Sequence, residues 1–229
     1  MNKTAVRAGL GTQLFQLLIG LSKYREELKE IHWWNPYLNN KENKRKRPDL
    51  GKDFYLENLY DLKNFSIKKN SIQPSLVPPI NYENIDLVYN NLSFLKSCLR
   101  PKFEVKRNNL QLLHKRGWDT PFLNERFYQD FKLKNKNFEI ISDSTINEDG
   151  NLKNACEDFI LIYNSDLCVG AWSMFTVSAA VLNKNLKLYM IDHKHWNIDI
   201  YGGRRRKEVC IQQANMFIDK FSNINWYKE

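Results

Sequence analysis

The sequence predicts an α/β protein with a parallel sheet, divided into two units. Three observations lead there. From residue 110 to residue 221, short strand-like apolar runs alternate with stretches of helical period, joined by short connections. The first twenty residues carry a strand, a glycine turn and an apolar helical run. Between these regions, residues 101–109 are polar and basic with no apolar period, which marks a linker and sets the units at 1–105 and 106–229.

Length and composition agree. The 229 residues are 42% hydrophobic and 13% aromatic, enough for a real core and too apolar for a disordered chain. The net charge of +9 points to an anionic partner. The basic runs at 44–47 and 204–207 supply much of the excess and read as solvated segments. Cys98, Cys156, Cys168 and Cys210 contain no C-x-x-C pair, so neither a zinc site nor a disulfide framework is expected. No apolar run has the length of a membrane span. The expected compartment is a reducing cytoplasm, with at most peripheral attachment to a membrane.

In order along the chain, residues 4–9 suit a short strand and residues 8–13 (Ala-Gly-Leu-Gly-Thr-Gln) a turn. Leu14, Phe15, Leu17, Leu18 and Leu21 then follow at helical spacing. Gly9 and Gly11 permit a tight turn and close approach of a ligand to backbone amides. A dinucleotide fingerprint is not completed, because its last glycine position holds Leu14. Residues 35–52 read as an exposed loop, and His32, Trp33, Trp34, Tyr37, Phe54 and Tyr55 around it mostly as core. Residues 87–99 read as a helix ending before Pro101.

The second half predicts strands at 110–113, 138–141, 166–169 and 186–191. Helices are predicted at 121–132, 152–163, Met174–Leu182 and 207–221. The inner face of the helix at 152–163 would hold Ala155, Cys156, Phe159, Ile160 and Tyr163. Ligands of parallel sheets bind beyond the C-terminal strand ends. There the first strand offers His114 and Arg116, the second Ser142 and Asp143, and the third Ser173 ahead of an apolar helix. A guanidinium and a helix N-terminus suit phosphates, and a carboxylate suits ribose or base. Ser173 also fits a plain N-cap, and Asp143 a turn residue.

Four stretches in order resemble the α-1,2-fucosyltransferase family. Residues 8–16 (Ala-Gly-Leu-Gly-Thr-Gln-Leu-Phe-Gln) are similar to its GGLGNQxFQ opening, and residues 114–119 to its H-x-R-R-G-D motif. Residues 138–143 resemble its F-x-I-F-S-D segment. Residues 157–182, with Asp158-Phe159 and Ser173-Met174-Phe175-Thr176, resemble its D-L-x-L-M-S … N-S-T-F-S-W-W-G-A block. The resemblance implies a GT-B-like fold of two Rossmann-like lobes, a small N-terminal acceptor-side lobe and a parallel-sheet donor lobe. It implies GDP-fucose as donor, a glycan hydroxyl as acceptor, and inversion without a metal or other cofactor.

By that match Arg116 is the essential arginine on the diphosphate. His114 and Asp119 would position it or touch the donor. Ser142 and Asp143 belong to the donor side, and Ser173, Met174, Phe175 and Thr176 to the phosphate and guanosine side. Gly9, Gly11, Thr12 and Gln13 would face the acceptor. The sequence departs from the pattern at Thr12, where the family has Asn, at Gly117-Trp118, where it has Arg-Gly, and at Val177-Ser178, where it has paired tryptophans. Asp119 and Asp143 are the candidate general bases, and spacing selects neither. The rivals are a transferase of the same fold with another nucleotide sugar and a non-catalytic nucleotide- or glycan-binding descendant. Nucleic-acid binding is not expected, since basic residues and aromatics do not interleave in any such motif.

Overall fold

The structure, a computed structural model, describes residues 2–7, 9–34, 54–69, 74–115, 125–142, 155–196 and 204–228. The chain divides into two compact units, 1–105 and 106–229. Both are α/β with parallel sheets, one of three strands and one of five.

The first unit opens with β1 (Asn2–Arg7), α1 (Leu10–Tyr24) and β2 (Leu28–Trp34), a parallel pair joined by a crossover helix. A short α2 (Leu56–Leu59) and β3 (Ser66–Lys69) follow, and the sheet order is β1-β2-β3. α1 is buried on nearly every side, from Leu10 through Ser22, which is why its sequence is apolar beyond a single stripe. It lies so close to β1 that a Cβ on Gly20 would stand 2.7 Å from Thr4 Cγ2 and 2.8 Å from Thr4 Cβ.

Two expectations change in this unit. The predicted turn over 8–13 is shorter, because α1 begins at Leu10 and Gly11, Thr12 and Gln13 form its first turn. The helix predicted over 87–99 is two helices, α3 (Tyr82–Asn90) and α4 (Leu92–Cys98). Asn91 breaks them apart: its side-chain amide donates to the Leu87 carbonyl at 2.8 Å and its side-chain oxygen accepts from Arg25 at 2.9 Å. His32, Trp33 and Phe54 are core residues. Residues 35–52, Tyr37 among them, lie outside the described residues.

The second unit runs β4 (Gln111–Lys115), α5 (Glu125–Lys134), β5 (Phe138–Ser142), α6 (Ala155–Tyr163), β6 (Leu167–Gly170), α7 (Met174–Leu182), β7 (Lys187–Ile191), α8 (Arg204–Lys220) and β8 (Ile224–Tyr227). The sheet order is β5-β4-β6-β7-β8. Numbered by appearance within this sheet, that is 2-1-3-4-5, so the chain changes direction of growth between β4 and β6. β8 was not expected, since Ile-Asn-Trp-Tyr is too short to show a period behind a long helix. The inner face of α6 also differs: Asp158 and Ile162 are buried, and Ala155, Ile160 and Tyr163, expected there, are half-buried.

The N-terminal ends of these strands are fastened by three asparagines. Asn164 Oδ1 accepts from the Lys106 amide at 3.0 Å, and its carbonyl from the Asn108 amide at 3.1 Å. Asn183 donates to the Tyr163 carbonyl. Asn223 Nδ2 donates to the carbonyls of Ala180 at 2.9 Å and Leu186 at 2.8 Å. Each short polar side chain takes up backbone groups at an element end that no ladder satisfies. The opposite, C-terminal strand ends are thereby left for other chemistry.

Among the described residues no helix is long and apolar enough to cross a membrane. No group of three or more His, Cys, Asp or Glu is placed to hold a metal ion among them.

Candidate functional site

The strand order reverses between β4 and β6, and in parallel sheets ligands bind beyond the C-terminal strand ends at such a point. The strand registers bring His114 opposite Gly170 on one side and Ile141 on the other. β6 is followed by Ala171, Trp172 and Ser173, all buried, and then by α7.

Ser173 is the N-cap of α7. Its hydroxyl oxygen accepts the Phe175 N–H at 3.2 Å. Its carbonyl accepts from the Val177 amide at 3.1 Å and from the Thr176 hydroxyl at 3.1 Å. Ser173 and Thr176 therefore close on one another, and the capping role expected of serine describes Ser173. Thr176 is fully buried. Met174 and Phe175 are half-buried and are the first-turn side chains with surface.

His114 lies elsewhere than at a strand tip. β4 continues through Lys115, so His114 is its penultimate residue and is 0% exposed. Its ring stacks on Phe175, with centroids 5.9 Å apart and planes 21° from parallel. Cys168 is buried in β6. Burial pushes its thiol up to about 12, with a small opposing pull from the His114 backbone amide. Such a thiol stays protonated and inert.

Several expected residues lie outside the described residues: Arg116, Gly117, Trp118, Asp119 and Asp143. Ser142 closes β5, beside Lys115 in the ladder. Of the cation, carboxylate and hydroxyl expected at three adjacent strand ends, the hydroxyl of Ser173 is the one placed here. The C-terminal ends of β4 and β6 and the start of α7 bring together His114, Ser173, Phe175 and Thr176.

In the first unit, Gly9 is the N-cap of α1 and offers no side chain to it. Its carbonyl accepts from the Gln13 amide at 3.0 Å. Gly11 and Gln13 are buried, and Thr12 is half-buried. The fastening of this turn comes from Gln16, whose Oε1 accepts the Arg7 amide at 2.8 Å and ties the end of β1 to the second turn of α1. Gly9, Gly11, Thr12 and Gln13 are thus gathered at one helix start in this unit.

Sequence reasoning gave no role of their own to three residues: Gln16, Asp158 and Gly170. Gln16 was visible as the second glutamine of the opening motif. Asp158 is 5% exposed on α6, and a carboxylate between apolar residues at helical spacing was its signal. Gly170 had no signal, because its role depends on which residue of β4 lies opposite.

No known protein family matches this chain, and no curated protein matches it.

Proposed function

We infer that the chain is a nucleotide-sugar glycosyltransferase of GT-B-like build. In this reading it moves fucose from GDP-fucose to a glycan hydroxyl with inversion. The second unit holds the donor and the first the acceptor. The observation that carries the reading is the start of α7, an apolar helix of nine residues whose N-terminus opens at the β4–β6 switch point. Helix starts at such points favour phosphate, through their free amides and the positive end of the helix dipole. The ordered motif resemblance supplies the donor and the reaction type.

In this mechanism Arg116 acts on the developing charge. As the sugar C1–O bond breaks, negative charge grows on the β-phosphate, and a fixed guanidinium stabilises it more in the transition state than in the ground state. The residues named need no metal for that step. Soluble donor and cytoplasmic location fit together, with at most peripheral contact with a membrane carrying the acceptor.

A second reading is favoured by one feature of the site. The Phe175 amide of the first turn is already given to the Ser173 hydroxyl oxygen, and His114 is buried, so fewer groups at this helix start face outward. That suits a descendant that binds a nucleotide or glycan without turning it over.

Calorimetric titration with GDP, with UDP and ADP as controls, separates these readings when GDP-fucose hydrolysis is followed in parallel. GDP-selective binding with slow fucose release supports the transferase. GDP binding with neither hydrolysis nor transfer to supplied glycans supports the binding protein. Absence of binding to all three nucleotides refutes both. If transfer is found, Arg116→Ala is expected to lower it by about 10²–10³-fold at unchanged melting temperature.

A further inference from the structure

The His114 ring is flanked by Gly170, to which no role has been given, and by Phe175, so far read only as part of the donor side. Gly170 lies directly across the β4–β6 ladder from it. A Cβ at position 170 would stand 3.0 Å from His114 Cβ, 3.2 Å from its carbonyl oxygen and 3.4 Å from Nδ1. Contacts of 3.0–3.2 Å are tighter than a Cβ normally makes, and one of them is to backbone that a strand cannot yield. Glycine at 170 therefore lets β6 lie close against the Cβ and carbonyl of His114, with the ring atom Nδ1 at ordinary contact distance. On its other flank the ring lies nearly parallel to Phe175. Phe175 is in turn held edge-on by Phe159 of α6, at 5.8 Å and 78°. The same Phe175 gives its amide to the Ser173 cap.

These contacts link four elements at the candidate site: β4, β6, α6 and α7. Phe159 sets Phe175, Phe175 and Gly170 set His114, and His114 stands two residues before Arg116 in the sequence. A ring fully removed from water keeps one orientation when its neighbours leave no alternative, since interiors are packed too densely for a partial rotation. The geometry points to Gly170 and Phe175 as positioning residues that fix the His114 imidazole and, through it, the end of β4 at the nucleotide site. The inference rests on the reading of these strand ends as a nucleotide site. Its structural half, the fixing of the ring, stands on the contacts alone.

The test is nuclear magnetic resonance of the whole chain labelled at its four histidines, first free and then titrated with GDP. In the free wild-type protein the His114 ring is expected in one tautomer, with its carbon-bound protons shifted upfield by the Phe175 ring. Phe175→Leu is expected to remove that shift, to mix the tautomers, and to weaken GDP on the order of tenfold, as loss of a supporting contact does. Phe175→Tyr keeps the stacking face and is expected to restore both. Gly170→Ala is expected to move the His114 resonances in the same experiment. Should it fail to fold, the Phe175 pair decides the matter.

His114 signals unmoved by Phe175→Leu overturn the proposal. So does GDP affinity within about twofold of wild type once the ring has been released, because two residues that act through one another must couple. If the wild-type chain binds no GDP, the nucleotide reading falls. The free-protein spectra then decide whether Gly170 and Phe175 fix the ring.

Discussion

Two strand-to-helix turns of this protein can be laid side by side. β1 runs into α1 and β6 into α7. Each strand belongs to a parallel sheet, and each helix is buried nearly all round. They are closed in different ways. The β6–α7 turn is capped by its own residue, Ser173, whose hydroxyl takes the Phe175 amide. The β1–α1 turn has Gly9 at that position, with no side chain to give, and is fastened from seven residues further on by Gln16. The lesson is that a helix start can be stabilised without spending its first-turn amides on a cap, if another side chain holds the strand end. Ser173 gives firmness at the cap itself, whereas Gly9 leaves the cap position open.

That contrast can be broken in order of expected effect. Gly20→Ala is expected to cost most, about 3 kcal/mol. Its Cβ would meet the branched Thr4 side chain at 2.7–2.8 Å and force α1 off β1, an overpacking penalty at the upper end of its range. Chemical denaturation checks it, and an unchanged midpoint would mean that α1 has room to shift. Gln16→Ala is expected to cost about 2 kcal/mol, because the part-buried Arg7 amide loses this acceptor. If the turn were held by glycine geometry alone, thermal melts would show almost no loss.

Ser173→Ala comes next, at about 1 kcal/mol, the ordinary value of a serine N-cap. A larger loss in the same melts would show that Ser173 does more than cap. Gly9→Ser is the smallest change, an expected gain of a few tenths of a kcal/mol from the added cap. The sign matters more than the size, because destabilisation would mean that Gly9 is needed for a reason other than its missing side chain.

The same contrast explains what the sequence made legible. Met174–Leu182 could be read to the residue, because a serine followed by an unbroken apolar run marks both the cap and the helix. The start of α1 was misplaced because two glycines resemble a turn. Nothing in the sequence says that Gly11 sits buried inside the first turn of a helix. β2 (Leu-Lys-Glu-Ile-His-Trp-Trp) escaped notice because it mixes charges with aromatics and has no period of two. In the structure it is the central strand of the first unit, paired on both edges, and its two indoles follow one another at its end.

The candidate site was legible at Ser173 and less so at His114. The apolar run at 110–113 suggested that the strand stops where polar residues begin. The ladder instead continues past Leu113, with His114 paired to both β5 and β6 and Lys115 to β5, because pairing extends a strand past its apolar segment. His114 is consequently an interior residue. Gly170 lies across the ladder from it, and pairing between strands more than fifty residues apart cannot be read from one strand's composition.

The strand order has a consequence for how the protein is made. In the second sheet, β4 comes first and lies inside; β5 adds to one edge, β6 to the other, and β7 and β8 each add beyond the last. The first sheet likewise grows outward from β1 to β3. A ribosome delivering this chain from its N-terminus therefore presents every new strand to an edge already in place, and no strand must be prised apart from its neighbour to admit a later one. The vulnerable moment comes late. Until Ile224–Tyr227 has emerged, β7 carries a bare apolar edge, and a chain halted there would offer that edge to any other nascent chain nearby.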